Sequence, residues 1–158
     1  RRLETGELEV RYLRNHADLT PETLVADSLL ATILEPHRGK VVYADFWGSW
    51  CGPCKEQLKH MQAVKDELKG KDVVYLYFAN NTPEDVRQVI VKKLGLYGDN
   101  IFHYNLPYEQ QESIERLLGV TRFPTFMLFD KNGKLVSSDA PFPQYLDALI
   151  NEINKCLE

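Results

Sequence analysis

The chain has 158 residues, of which 44% are hydrophobic and 27% are charged, and its formal net charge is −4. These values are ordinary for one soluble globular domain that buries a core without stapling disulfides or metal ions. They exclude the basic surface of a nucleic-acid binder, and no apolar run approaches the ~20 residues of a membrane-spanning helix. Three cysteines are too few, and odd in number, for a disulfide-scaffolded secreted domain.

The first predicted element is a helix that begins at Pro21. Residues 1–19 are mixed and charged and predict no firm structure. Thr20 is a typical N-cap, and proline suits the first helical position because no intrahelical N–H is missed there. Helically spaced apolar residues follow, before a proline and a glycine end the pattern. These residues are Leu24, Val25, Leu29, Leu30, Ile33 and Leu34.

Two buried strands are predicted at residues 41–47 (VVYADFW) and 73–79 (VVYLYFA), because both runs are apolar and rich in β-forming residues. Tyr75 and Tyr77 in the second run are interpreted as packing residues. Between the strands, apolar residues repeat every three or four positions up to Gly70 and predict a helix. They are Leu58, Met61, Val64 and Leu68.

The second half of the chain alternates between helical and strand patterns. A helix is predicted at 82–95, a strand at 101–106, a helix at 108–118, strands at 125–129 and 134–137, and a helix at 145–157. The apolar face of the first of these helices consists of Val86, Val89, Ile90 and Leu94. An Asn-Gly pair between the last two strands is a strong hairpin signal. Together these elements predict a single layered α/β domain.

The predicted chemistry depends on two cysteines at the junction between the first strand and the following helix. Disulfide exchange needs one thiolate that attacks sulfur and a second thiol that resolves the mixed disulfide. Cys51 is expected at the helix N-terminus, where unpaired N–H groups and the helix dipole lower a thiol pKa. Cys54 follows on the same helical face, close enough to form a disulfide. Between them, Pro53 suits the first helical turn.

Half of a zinc site is the alternative interpretation of this cysteine pair. Zinc usually takes four ligands, with a second Cys or His pair at short spacing. The histidines form no such pair, and Cys156 stands alone in the last helix. We therefore favour redox chemistry, predict no metal and no other cofactor, and interpret Cys156 as a bystander.

Asp45 interrupts the first buried strand and is a candidate functional acid. An unpaired buried carboxyl group is costly, and such groups cluster at functional sites. The alternative is a core acid that a backbone group satisfies. Of the neighbouring tryptophans, Trp50 is predicted to line the site and Trp47 to belong to the core. Lys55 and Arg122 are interpreted as solvated charges, although either could favour a nearby thiolate.

Three segments resemble thioredoxins in order and in structural placement: residues 45–47 (DFW), 50–55 (WCGPCK) and 123–125 (FPT). The resemblance covers roughly residues 40–158. It implies a thioredoxin fold, in which helices flank a central mixed sheet.

Residues of about 80–106 are extra relative to plain thioredoxin. A helix–strand insert at this place, and a helix before the core, resemble the TlpA/ResA-like branch of bacterial thiol–disulfide oxidoreductases. The implied organisation is a thioredoxin-like domain at 40–158, preceded by an N-terminal extension at 1–39 whose one helix packs on the core.

The resemblance also assigns roles to individual residues. It implies an attacking cysteine, a resolving cysteine, a buried acid that accepts the proton of the resolving thiol, and a cis-proline that faces the disulfide. These are, in order, Cys51, Cys54, Asp45 and Pro124. The surface expected to contact the substrate consists of Trp50, Gly52, Pro53 and Phe123. The backbone of Phe123 is expected to pair with an extended substrate, and its bulk departs from the modest aliphatic residue usual before this proline.

The activity implied by the resemblance is the reduction of disulfides in partner proteins, followed by re-reduction by an upstream dithiol donor. The implied location is the bacterial periplasm or the extracytoplasmic face. Because the chain begins at Arg1 rather than Met, any signal peptide or membrane anchor is expected upstream. Two alternatives stay open: an oxidase or isomerase that donates disulfides, and a redox-inert docking module of a larger protein.

Overall fold

The structure, a computed structural model, describes Tyr12 and residues 20–158. The helices are α1 (Pro21–Leu34), α2 (Gly52–Leu58), α3 (Met61–Glu67), α4 (Glu84–Leu94), α5 (Tyr108–Leu118) and α6 (Leu146–Leu157). A short 3₁₀ turn at Glu35–His37 follows α1. The strands are β1 (Val41–Trp47), β2 (Val73–Ala79), β3 (Ile101–Tyr104), β4 (Thr125–Phe129) and β5 (Leu135–Ser137).

The strands form one mixed sheet in the order β3-β2-β1-β4-β5. β1 and β2 are parallel, as are β2 and β3, whereas β4 is antiparallel to both β1 and β5. Parallel neighbours need crossover connections, which α2 with α3 and then α4 supply. All seven residues of β1 are buried, because helices cover both faces of this central strand. The predicted central mixed sheet flanked by helices is thereby confirmed.

The two faces of the sheet form two hydrophobic clusters. One face is covered by α2, α3 and α6, and we call it the cysteine face because Cys51 and Cys54 belong to its cluster. The opposite face is covered by α1 and α5. Tyr43 and Trp47 lie on the cysteine face, and side chains alternate along a strand, so Asp45 points to that face as well.

Some predicted element boundaries are confirmed and others shift by one or two residues: the strand predicted at 101–106 ends at Tyr104, and the helix predicted at 82–95 is Glu84–Leu94. β1 and β2 have the predicted limits, and α1 begins at Pro21, where the Thr20 hydroxyl accepts the N–H of Thr23 at 3.2 Å. α5 ends at Leu118, and Gly119, with a positive φ of 74°, closes the helix as a left-handed cap. Residues 80–106 hold α4 and the edge strand β3, the helix and strand predicted as an insert.

The helix predicted between the two buried strands is interrupted. α2 ends at Leu58 and α3 begins at Met61. The N–H groups of Lys59 and His60 bond to carbonyls three residues earlier, which tightens the chain at the junction. The predicted apolar positions are nevertheless buried, because both short helices present them to the cysteine face.

Two predicted apolar faces are less buried than their pattern indicates. Val25 of α1 is 68% exposed, because only one side of that helix packs against the sheet and α5. No residue of α4 is buried, and Val89 is 65% exposed. Only Ile90, Val91 and Leu94 of α4 pack partly against the core.

The division of the chain at residues 39 and 40 stays a prediction. α1 packs against α5, as expected of a helix that precedes the core. The predicted N-terminal extension, residues 1–39, lies partly outside the described residues. Within the described part of the chain, no helix is both long enough and apolar enough to cross a bilayer.

Candidate active site

The two predicted redox cysteines meet where β1 passes into α2. Cys51 and Cys54 form a disulfide with their Cα atoms 5.2 Å apart. Cys51 is the N-cap of α2 in an extended conformation, and its Sγ accepts the backbone N–H of Cys54 at 3.1 Å. Gly52 and Pro53 form the exposed first turn of the helix. An N–H directed at Sγ stabilises a thiolate more than a thiol, which lowers the thiol pKa.

Trp50 stands beside the disulfide with 53% of its surface exposed. Its indole N–H donates to the carbonyl of Asn80 at 3.0 Å, and its ring and that of Phe123 form a T-shaped pair with centroids 5.2 Å apart. A Cβ atom at Gly48 would overlap the indole, so this position accepts only glycine while Trp50 keeps its place. The ring is thereby held in place with about half of its surface exposed.

A hydrogen-bonded chain supports the loop that carries Trp50. The Thr82 hydroxyl oxygen accepts the N–H of Ser49 at 2.9 Å and donates to the carbonyl of Asn80 at 2.9 Å. The Asn80 side chain donates to both carboxylate oxygens of Glu115, at 2.9 and 3.0 Å. Burial raises the pKa of Glu115, and the hydrogen bonds from Gln111 and Asn80 oppose that shift. The loop is thus connected to α5 through side chains.

Sequence analysis did not identify Asn80, Thr82 and Glu115 as part of the site. Asn80 and Thr82 follow β2, whose carboxyl end lies beside that of its parallel neighbour β1. That adjacency was the available signal, since polar residues after neighbouring parallel strands meet at one edge of a sheet. Glu115 gave no local signal, because its partner lies 35 residues away in the chain.

Asp45 is buried, 3% exposed, and neither carboxyl oxygen has a hydrogen-bond partner among the described residues. Burial raises the pKa of this carboxyl group well above its ordinary value. A backbone partner, the alternative considered from sequence, is therefore not found. The predicted transfer of a proton from Cys54 to Asp45 stays a prediction.

Asp45 lies in a row of polar side chains that crosses the sheet and runs from buried residues to the partly buried His103. The β1–β2 register pairs Asp45 with Tyr77, and the β2–β3 register pairs Tyr77 with His103. The rings of Tyr77 and His103 stack at 4.8 Å. The Tyr77 hydroxyl and the His103 Nδ1 also lack partners among the described residues. Tyr77 is thus a packing residue that also places a polar group beside the acid.

The Phe123–Pro124 peptide bond is cis, and Pro124 is buried. Phe123 is half-buried, packs against both hydrophobic clusters and contacts Trp50. Arg122 is exposed and pairs with Asp139 at 3.6 Å. The substrate-binding roles assigned to Phe123 and Pro124 stay predictions.

The third cysteine lies apart from this site. Cys156 is a free, partly exposed residue near the end of α6, and burial raises the pKa of its thiol. Within the part of the chain that the structure describes, no group of three or more His, Cys, Asp or Glu side chains is placed to hold a metal ion.

The thioredoxin-like family model matches residues 39–135, more than half of the chain. The chain belongs to the thioredoxin-like family. The predicted resemblance to thioredoxins is thereby confirmed, and the matched segment of this family member contains the disulfide and the cis-proline.

Curated relatives of this thioredoxin-like chain include proteins named thiol-disulfide oxidoreductase ResA. The one from Geobacillus thermodenitrificans is 28% identical over 102 residues, which cover 65% of this chain and 55% of the relative. The one from Halalkalibacterium halodurans is 28% identical over 115 residues, covering 73% of this chain and 60% of the relative. These relatives confirm the predicted ResA-like branch. The chain spans less than two thirds of their length.

Solved structures show the same fold. A protein assigned as the thiol:disulfide interchange protein DsbE of Chlorobium tepidum is 27% identical, with a TM-score of 0.64 over 79% of this chain and 85% of its own. The thioredoxin domain of thiol-disulfide oxidoreductase BVU-2223 from Bacteroides vulgatus is 21% identical, with a TM-score of 0.66 over 79% and 84% of the two chains.

Proposed function

We propose that this protein is a thiol–disulfide oxidoreductase that reduces disulfides in partner proteins. The observation that carries the proposal is the Cys51–Cys54 disulfide, whose Cys51 Sγ accepts an N–H at the start of α2. The names of the ResA relatives support the same chemistry. Such a site needs no bound cofactor, because the two thiols supply both electrons.

The reaction begins on the reduced protein, in which both cysteines are thiols. The Cys51 thiolate attacks one sulfur of the substrate disulfide, forms a mixed disulfide and expels a substrate thiolate, which takes up a proton. Cys54 then loses its proton and attacks the Cys51 sulfur. The second substrate thiolate leaves, and the Cys51–Cys54 disulfide forms. Two electrons have passed to the substrate, and an upstream dithiol donor returns them to the protein.

Asp45 is proposed to accept the proton from Cys54 in the resolving step. Burial on the cysteine face raises the pKa of its carboxyl group, and this brings the carboxyl closer to the pKa of a thiol. A smaller pKa difference makes the transfer between the two groups less unfavourable. Because the carboxyl has no hydrogen-bond partner among the described residues, no hydrogen bond to them has to break before it takes up the proton.

The substrate is proposed to lie across the exposed surface formed by Trp50, Gly52, Pro53 and Phe123. The edge contact between Trp50 and Phe123 makes one continuous apolar wall next to the disulfide. The backbone beside the buried Pro124 is proposed to pair with an extended substrate segment, a form of strand addition. We place the activity at the extracytoplasmic face of a bacterial cell, on the ResA-like resemblance.

Insulin reduction tests the proposal. With dithiothreitol as the electron donor, the protein is expected to accelerate precipitation of the insulin B chain, and a Cys51→Ser variant is expected to lose this acceleration. A Cys156→Ser variant is the matched control, because Cys156 lies apart from the disulfide. An acceleration that survives in Cys51→Ser would contradict the proposal, and an inactive parent protein would favour the redox-inert docking module.

A further inference from the structure

An open groove of about 500 Å³ lies between α4 and the segment that carries the disulfide. Its apolar wall comes from one stripe of α4, which consists of Val86, Val89, Ile90 and Leu94. The opposite wall begins at Ser49 and Trp50, directly before Cys51. We call it the α4 groove. Phe123 and Pro124 do not line it, so it is distinct from the surface proposed above for backbone pairing.

The apolar stripe of α4 has the helical spacing that normally faces a protein core. Here it faces the groove, where Val86 is 38% and Val89 65% exposed. Trp50 adds a further exposed aromatic ring at the opposite wall. Exposed apolar groups that are contiguous and rimmed by polar residues mark interaction sites, since their hydration is unfavourable. The groove therefore offers apolar surface to a partner beside the reactive sulfur.

Three lysines give the groove its charge. Lys55 and Lys59 of the disulfide-bearing segment and Lys93 of α4 line it, and no carboxylate of Tyr12 or residues 20–158 does. Lys59 pairs with Glu56 at 3.2 Å. Among the described residues, Lys55 and Lys93 form no ion pair. Two ammonium groups are thus left to attract anionic side chains of a partner.

The position of the groove beside Trp50 determines which part of a bound substrate can enter it. A substrate whose cysteine is bonded to Cys51 lies beside Trp50, and one extended residue spans about 3.3 Å. The residues that flank the substrate cysteine are therefore the part of the substrate that enters the groove. We propose that the α4 groove binds this flanking segment and selects segments that combine apolar side chains with Asp or Glu. The proposal rests on the proposed function.

Lysine and valine contribute differently to this selection. The apolar stripe contributes to the affinity for any segment with aliphatic or aromatic side chains. The lysines discriminate by charge, accelerate encounter with acidic segments and disfavour basic ones. That discrimination weakens with ionic strength, because the Debye length falls from about 30 Å at 0.01 M salt to about 10 Å at 0.1 M.

Three synthetic peptides test the proposal. Each carries the same intramolecular disulfide, flanked by Leu and Glu, by Leu and Lys, or by Gly and Ser. The reduced protein is expected to reduce the Leu-Glu peptide with a kcat/KM about tenfold above that for the Leu-Lys peptide at low salt, with the Gly-Ser peptide between them. Raising the salt concentration is expected to narrow the difference.

Variants of α4 locate the effect. Lys93→Glu is expected to lower kcat/KM for the Leu-Glu peptide about fivefold and to raise it for the Leu-Lys peptide, a reversal that a misfolded variant cannot produce. Lys92→Glu is the matched control, because Lys92 is the exposed neighbour on α4 that does not line the groove. Val89→Asp is expected to reduce the use of the Leu-Glu peptide. Val25→Asp, at a comparably exposed helical valine, is its control.

The outcomes separate this proposal from the proposed function. If the protein reduces all three peptides at equal rates, or if Lys92→Glu acts as strongly as Lys93→Glu, the groove does not select the substrate and the inference is overturned. If the protein reduces none of the peptides, the oxidoreductase function itself fails.

Discussion

At position 45 a carboxyl group stands in a buried strand with no hydrogen-bond partner among the described residues. Burying a polar group without a partner costs about 1–3 kcal/mol in proteins, and more if the group is charged. A valine or leucine at this position would avoid this desolvation cost, because neither side chain has a polar group. Stability of the sheet thus gives no reason for an acid at this position, which supports the proposed role of Asp45 as proton acceptor for Cys54.

An Asp45→Asn variant is expected to gain stability over the parent protein as pH rises. The unfolded carboxyl titrates near 3.8, and burial raises the folded pKa well above that value. Below pH 3.8 both states hold the proton and the parent has its full stability. Above pH 3.8 the free energy of unfolding of the parent falls by ~1.4 kcal/mol per pH unit until the folded pKa is reached. The variant shows no such loss, because asparagine does not titrate.

Chemical unfolding of the oxidised proteins at a series of pH values measures this difference. An Asp99→Asn variant, at an exposed acid, is the control. If the gain in unfolding free energy of Asp45→Asn is the same at every pH, titration of the buried carboxyl does not cause it. Insulin reduction by the same variant is expected to slow, and unchanged turnover would leave Asp45 a purely structural residue.

Cys51 is expected to react before the other two cysteines with an alkylating agent at neutral pH. Its Sγ accepts the N–H of Cys54, which favours the thiolate, whereas burial raises the pKa of Cys156. Both cysteines of the pair are buried in the disulfide form, Cys51 at 5% and Cys54 at 1% exposure, so the hydrogen bond rather than exposure carries the expectation. Brief iodoacetamide treatment of the reduced protein, followed by peptide mass spectrometry, locates the adduct. A Cys51→Ser variant is expected to be labelled slowly. An adduct mainly on Cys54 or Cys156 would reject the assignment.

At the scale of elements, the loops after β1 and β2 support each other. The loop after β1 carries Trp50 and the disulfide, and the loop after β2 supplies Asn80 and Thr82 as its hydrogen-bond partners. α5 then holds Asn80 through Glu115. The position of the reactive loop therefore depends on three elements that are distant in sequence.

A Thr82→Val variant is expected to loosen the reactive loop. Valine keeps the shape of threonine but removes the acceptor of the Ser49 N–H, and the loss of one such hydrogen bond costs about 1 kcal/mol of unfolding free energy. Amide hydrogen exchange at Ser49 is expected to accelerate. Thr82→Ser keeps the hydroxyl and is the matched control. Equal exchange in the Val and Ser variants would show that the hydroxyl does not hold this loop.

At the scale of the whole molecule, the environment of the disulfide favours a reductant. A strongly stabilised thiolate makes a disulfide oxidising, as in DsbA at about −120 mV, whereas thioredoxin lies near −270 mV. Here Gly52 and Pro53 carry no ionisable group, and the hydrogen bond described at Cys51 Sγ comes from a backbone N–H. When ionised, Asp45 on the cysteine face would further disfavour a thiolate on that face.

We therefore expect a reduction potential close to that of thioredoxin. Equilibration with glutathione at several ratios, followed by alkylation and gel shift, measures it. A Pro53→His variant adds a donor beside the second cysteine and is expected to shift the potential towards that of DsbA. A parent value near −120 mV would instead make the protein an oxidant.

Local sequence was sufficient for the parts of the protein that local chemistry controls. The limits of β1 and β2 follow from short runs of β-forming apolar residues, and the start of α1 follows from Thr20 and Pro21. The cysteine pair could be identified because four consecutive residues determine both its position at the helix start and its spacing. The interruption at Lys59 was missed because the apolar spacing continues through it.

Only the tertiary structure decided which distant groups meet. The same apolar spacing gives a buried face in α5 and an open groove wall in α4, because burial depends on what packs against the helix. The row from Asp45 through Tyr77 to His103 depends on strand register. The bond between Asn80 and Glu115 depends on where α5 returns to the sheet. Contacts of this kind depend on long-range packing, so the local sequence around each residue does not predict its partner.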